Sequence, residues 1–211
     1  MEPAHSCPEV LDFLSRPLDR ISYKPLPEAD LTLFVDGSSV LRADGRRRAA
    51  YAVVTLTETL EANKLPEGTI SQKAELVALT RALTLARGKK VTIYTDSKYA
   101  FLVVHSHSAL WKERGFLTTK GSPIVNASLI AKLLQATDLP SAIAVVHCKG
   151  HQASRDPVSH GNAWADAAAR ELTTHAPPHP ILFLTTDICP AYSTQEYSTL
   201  LRQGGHPGNE R

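Results

Sequence analysis

Two short apolar runs, LTLFVD (Leu31 to Asp36) and VTIYTD (Val91 to Asp96), carry hydrophobic side chains on both alternating faces, and each ends in an aspartate. A strand that is apolar on both faces must be covered on both sides, so these two belong in the centre of a sheet with helices above and below it. Gly37 and Ser38 follow Asp36 directly, turn chemistry that ends the first strand there. Two strands ending in Asp point to a site at their carboxyl ends, where open α/β sheets place their chemistry.

Two further carboxylates fall at positions with the same implication. A helix begins at Ser71, where a serine followed by an acidic or amide residue in the first turn has the character of a capping box; its apolar positions recur at Leu76, Leu79, Leu83 and Ala86, and Gly88 stops it. Glu75 lies one turn before Leu79 on that inward stripe, an unusual place for a charged group. Asp166 sits in an alanine-rich helix from Asn162 to about Thr173, whose small residues permit close approach to the sheet. Carboxylates gathered in a low-dielectric site repel one another, so folding either raises their pKa values or recruits a cation.

The segments between complete the outline. Ala49 to Leu60 reads as one or two antiparallel strands, reaching Leu65 after a polar break. Helices are expected from Lys98 to about His105, from Ser108 to Gly115, and from Asn126 to Ala136 with Leu129, Leu133 and Leu134 facing in. Ser141 to His147 is a final strand, followed by a polar loop from Lys149 to His160. Five prolines (Pro3, Pro8, Pro17, Pro25, Pro27) mark residues 1–29 as a lead-in, leaving a domain over 30–175 and a weakly ordered tail over 176–211.

Composition excludes several classes of function. Lys plus Arg number 23 against 21 Asp plus Glu, so any nucleic-acid binding must use local patches and not a global basic field. Cys7, Cys148 and Cys189 are too few and too scattered for a disulfide framework, which favours a reducing compartment. Neither an apolar stretch of membrane-spanning length nor a basic-then-apolar leader is present, so the expected location is the cytoplasm, the nucleus or a virus particle, with no secretion. His147, Cys148 and His151, or His175 and His179, lack the C-x-x-C partner that a structural zinc site needs.

Five strings in order, Asp36-Gly37-Ser38, Ser71-Gln72-Lys73-Ala74-Glu75-Leu76, Tyr94-Thr95-Asp96-Ser97-Lys98-Tyr99-Ala100, His147-Cys148-Lys149-Gly150-His151-Gln152 and Gly161-Asn162 leading to Ala165-Asp166, carry a resemblance. Over roughly Leu31 to His175 the chain resembles the ribonuclease H domain of retroviral polymerase polyproteins, nearest to the gammaretroviral type, whether exogenous or endogenous. The resemblance implies a ribonuclease H-like α/β fold, a five-stranded mixed sheet of three antiparallel strands followed by parallel ones, with helices on both faces. The lead-in is similar to the end of the polymerase connection region, and the tail to the passage toward integrase.

The activity so implied is hydrolysis of the RNA strand of RNA–DNA hybrids, leaving 5′-phosphate and 3′-hydroxyl ends. Two Mg²⁺ ions about 3.5–4 Å apart, or Mn²⁺ in their place, activate water and stabilise the leaving oxygen, and hard cations of this kind take carboxylate ligands. By resemblance Asp36 bridges both metals, Glu75 and Asp96 hold the leaving-group metal, and Asp166 holds the metal that activates water. His151 matches a mobile histidine that assists proton transfer or product departure. Ser38, Ser71, Gln72 and Tyr99 flank the acids and are candidates to contact the sugar of the hybrid. Trp111, Lys112 and Arg114 have the composition of a backbone-gripping protrusion, interrupted by Glu113, while Arg46 to Arg48 form a weaker cationic cluster. Ala50 stands where the family commonly has glycine. The expected partners are the hybrid and a polymerase domain in cis or in trans, with the isolated domain a monomer and no membrane involved. Competing readings are a hybrid-binding module without cleavage and, last, an integrase-like strand transferase, whose relatives use three acids.

Overall fold

The computed structural model describes residues 20–107, 111, 115–118, 120–150 and 156–174. Among them the strands are β1 (Ile21–Ser22), β2 (Leu31–Leu41), β3 (Arg47–Val54), β4 (Thr59–Leu65), β5 (Lys90–Thr95) and β6 (Ala142–His147). The helices are α1 (Ser71–Leu85), α2 (Lys98–Leu102), which runs on into a π-helical turn over Val103–His107, α3 (Ala127–Ala136) and α4 (Pro157–Thr174). One mixed sheet has the order β1-β6-β5-β2-β3-β4, with β2, β3 and β4 antiparallel and β2, β5, β6 and β1 parallel.

The double-sided apolar pattern of β2 has the expected consequence. Leu33 and Val35 pack into a large core with Leu76, Leu79 and Leu83 of α1 and Ile130 and Leu133 of α3. Phe34 turns to the other face, into a smaller core with Ala52, Val54, Ala165 and Ala169, so α4 covers that side. Gly161 extends this close packing, because a Cβ there would fall within 2.5 Å of the Phe34 ring.

Four features depart from sequence expectation. Among the described residues the sheet has six strands and not five: Ile21 and Ser22, within the stretch read as lead-in, pair with Ile143 and Ala144 along the outer edge of β6. Ile21 is buried, and Arg20 beside it bonds the Thr137 carbonyl and pairs with Asp138, which anchors this short strand. Second, β2 does not end at Asp36-Gly37-Ser38, because β3 keeps pairing it as far as Leu41↔Arg47. Gly37 is needed there for proximity and not for a turn: a Cβ would meet the backbone nitrogen of Glu75 and lie 2.5 Å from the backbone carbon of Ala74. Third, α1 is capped at Ile70 with no side-chain bond, so Ser71 opens the helix without closing a capping box. Fourth, α4 starts at Pro157, inside the expected loop, where Asp156 accepts from the main-chain N–H groups of Val158 and Ser159. An Asp cap before a Pro in the first turn is a recognisable start signal.

Candidate active site

Parallel pairing of β2 with β5 runs from Leu31↔Val91 to Val35↔Thr95 and stops. Asp36, still within β2, and Asp96, the first residue past β5, come next in each segment, so the two acids flank the point where the neighbouring strands part. Glu75 enters from above on α1, which Gly37 allows to lie directly on β2. Ligand atoms of Asp36, Glu75 and Asp96 all fall within 4.8 Å of one another. Asp166 of α4 stands outside this trio but lines the same cavity of about 590 Å³, with Ser38, Ser39, Ser97, Arg170 and Thr174.

Electrostatics show the cost of this gathering. Asp36 is 7% exposed, and its pKa is pushed up to about 7, chiefly by burial and then by the charges of Asp96 and Asp166, against the opposing pull of Arg170. Burial pushes Glu75 further, to about 9, with Asp36 and Asp96 adding to it. Glu75 Oε2 is buried and has no hydrogen-bond partner among the described residues. A buried acceptor without a donor, among mutually repelling carboxylates, has the chemistry of a hard-cation site, so the residues fit divalent metal. Asp166 Oδ1 is instead held at 2.7 Å by Arg170 Nε, one helical turn on. Asp96 Oδ2 accepts from Asn162 Nδ2 at 3.2 Å, and Asn162 Oδ1 accepts from Cys148 Sγ at 3.4 Å. Burial raises the Cys148 thiol to about 12, with Asp96 adding to it, so it is a donor at neutral pH.

A family model described as RNase H matches residues 28–174, which takes in both strand ends and both acid-bearing helices. The chain belongs to the RNase H family. This RNase H sequence is 45% identical over 204 residues to a Gag-Pol polyprotein of avian reticuloendotheliosis virus, covering 97% of this chain and 18% of that protein. It is 47% identical over 167 residues to a Pol polyprotein of radiation murine leukemia virus (strain Kaplan), covering 79% and 29%. Against a Gag-Pol polyprotein of woolly monkey sarcoma virus it is 48% identical over 169 residues, covering 80% and 10%. The chain thus spans less than a third of each of these relatives. Among solved structures it is similar to the PFV RNase H domain in solution (TM-score 0.58, 25% identity, 69% of this chain and 95% of that one). It shares its fold with a foamy viral protease–reverse transcriptase solved with an RNA/DNA hybrid (TM-score 0.59, 22% identity, 72% and 21%).

The RNase H fold distributes the remaining sequence candidates unequally. Ser38 lines the cavity, but it is buried and its hydroxyl lies 3.4 Å from that of Thr173. Ser71 and Gln72 are exposed at the start of α1, outside the cavity lining. Tyr99 is half-buried against the core, its hydroxyl accepting from Asn126 Nδ2 at 3.4 Å, and Trp111 likewise packs on the core. Lys112, Arg114 and His151 lie outside the described residues. Arg46 is at the β2–β3 turn, whereas Arg47 and Arg48 belong to β3, with Arg47 Nη1 donating to Ser39 Oγ of the cavity wall. Sequence reasoning passed over Asn162 and Arg170 as site residues. Their spacing was the available signal: Asn162, Asp166 and Arg170 recur every four residues and so form one stripe of α4.

Proposed function

We propose that this chain is a divalent-metal-dependent endonuclease that hydrolyses the RNA strand of RNA–DNA hybrids, leaving 5′-phosphate and 3′-hydroxyl ends. The observation that carries the reading is the trio Asp36, Glu75 and Asp96, drawn within 4.8 Å where β2 and β5 part, in a chain of RNase H family. Two Mg²⁺ ions, or Mn²⁺ in their place, supply when bound an activated water and neutralisation of phosphate charge. Asp36, Glu75 and Asp96 would hold divalent metal between them, with Asp166 as a further carboxylate ligand from the same cavity wall. Arg170 holds Asp166 in place and supplies positive charge at the cavity wall, where a phosphodiester must approach four acids. Asn162 orients Asp96 from the side. His151 assists proton transfer or product departure, and Lys112 and Arg114 grip the hybrid backbone beside Trp111, which packs on the core. The domain works beside a polymerase domain, in cis or in trans, in virions or cytoplasm; among the described residues no helix is long and apolar enough to cross a membrane. Residues 30–175 together with the β1 edge strand form its working unit, with the rest of the lead-in and the tail as connections.

The test is incubation of the purified chain with labelled hybrid, duplex RNA and duplex DNA, with Mg²⁺ and with chelator. Metal-dependent cleavage confined to the RNA of the hybrid is expected, and Asp36→Asn should abolish it. Hybrid binding without cleavage by the wild type, unchanged in Asp36→Asn, would establish a binding module instead.

A further inference from the structure

Within the acidic trio, Asp96 is held by an amide from another element. Asn162 is 3% exposed, on α4, and donates Nδ2 to Asp96 Oδ2 at 3.2 Å. A buried amide can be seated in two ways, and the reversed one would set its oxygen against a carboxylate oxygen. The Cys148 thiol selects between them, because Sγ donates to Asn162 Oδ1 at 3.4 Å and leaves the NH₂ group for Asp96. Cys148 is itself fixed to the end of β5, its main-chain N–H donating to Thr95 O at 3.0 Å, one residue before Asp96. Gly150 closes in from the same loop, since a Cβ there would stand 2.7 Å from Asp96 Oδ2.

From this geometry we infer that Asn162 is a positioning residue for the metal site, acting through Asp96, and that Cys148 is the donor that sets the orientation of its amide. The inference rests on the cation-holding reading of the trio given above. A ligating carboxylate keeps its direction when a fixed partner hydrogen-bonds it, and losing such a partner costs about 10–100-fold in metal affinity. The thiol acts one step further out and is a weak donor, so its removal should cost less.

The full 211-residue chain is titrated with Mn²⁺ by calorimetry in the absence of nucleic acid, with circular dichroism melting of each variant to verify folding. Asn162→Ala and Asn162→Leu, which keeps the branching at Cγ but has no hydrogen-bonding group, are expected to bind Mn²⁺ about 10–100-fold more weakly. Cys148→Ala should bind about 3–10-fold more weakly, the worth of one hydrogen bond, and Cys148→Ser, which keeps a donor, should recover part of that loss. Folded Asn162 variants that bind Mn²⁺ like the wild type, Cys148→Ser no better than Cys148→Ala, or a wild type that binds none would each overturn the inference. Hybrid cleavage on the same preparations separates the two ideas. The expected affinity order without wild-type cleavage defeats the nuclease reading alone, whereas cleavage with unaltered Mn²⁺ affinities defeats the positioning role alone.

Discussion

Replacing Gly37 by alanine tests whether the site depends on how closely α1 lies on β2. The added methyl would sit 2.5 Å from the backbone carbon of Ala74 and 2.9 Å from its Cβ, with the backbone nitrogen of Glu75 also in its way. These are helix main-chain atoms, so no rotamer change relieves the clash. Restoring ordinary contact at about 3.4 Å requires α1 to retreat by about 1 Å, against a helix seated by fully buried Leu76, Leu79 and Leu83. Overpacking of this kind costs about 1–3 kcal/mol, and rigid neighbours put Gly37→Ala near the upper end. At roughly 2–4 °C per kcal/mol for a chain of this length, the melting temperature should fall by about 5–10 °C. Glu75 moves with the helix, and a misplacement of about 1 Å in a reacting array costs on the order of 100-fold in rate. The assay pairs thermal melting with hybrid cleavage at saturating Mg²⁺, well below the transition. Leu83→Ala, which opens a cavity farther along α1 and costs about 2–5 kcal/mol without driving the helix away, is the control. It should keep most of its cleavage despite being at least as unstable. A folded Gly37→Ala protein that cleaves like the wild type would refute the reasoning, as would a Leu83→Ala protein that loses cleavage equally.

Asp36 and Glu75, raised to about 7 and about 9, hold protons in the folded metal-free chain that the unfolded chain has already released, so stability should fall as pH rises from about 4 toward 9. Melting in chelator should therefore occur at lower temperature at pH 8 than at pH 5, and Mg²⁺ should raise the transition more at pH 8; an equal Mg²⁺ effect at both would contradict this. Away from the site, burial alone would raise Glu61, but hydrogen bonds from Arg81 and then Tyr51 overcome it and hold its pKa below the usual value. That stabilisation is present above about 4.5 and is lost as pH falls through the lowered pKa, so Glu61→Gln should flatten the acid limb of a denaturation profile. Arg81→Met, which strands Glu61 in a pair only 24% and 14% exposed, should cost about 2–3 kcal/mol by urea unfolding, between the surface and buried limits. Asp156→Ala removes three bonds to the first turn of α4, two from main-chain N–H groups and one from the Ser159 hydroxyl, and should cost about 1–2 kcal/mol in the same experiment.

Much of the layout is visible in local pattern because its causes are local. Period-two runs that are apolar on both faces identify β2 and β5 as central strands, and helical spacing around Glu75 and Asp166 turns both toward the sheet. The Asp156-Pro157 start of α4 was equally available and was hidden by the polar composition around it. Ile21 offered no such signal, since a two-residue strand acquires its identity only from the free edge of β6. Gly37 shows how one residue supports two readings, because its sequence neighbours suggest a turn while the contact that requires glycine comes from a helix more than thirty residues later.

The sequence by itself determined which carboxylates this protein brings to its sheet, since strand ends and helix faces follow from side-chain periodicity over a few residues. Tertiary structure alone decided how those carboxylates are held. The stop in β2–β5 pairing, the depth of Glu75 under α1, the grip of Arg170 on Asp166 and the Cys148–Asn162–Asp96 chain join atoms from separate elements. Burial and mutual repulsion, which raise Asp36 and Glu75, exist only once those elements meet, because both depend on distances through space that no local pattern encodes.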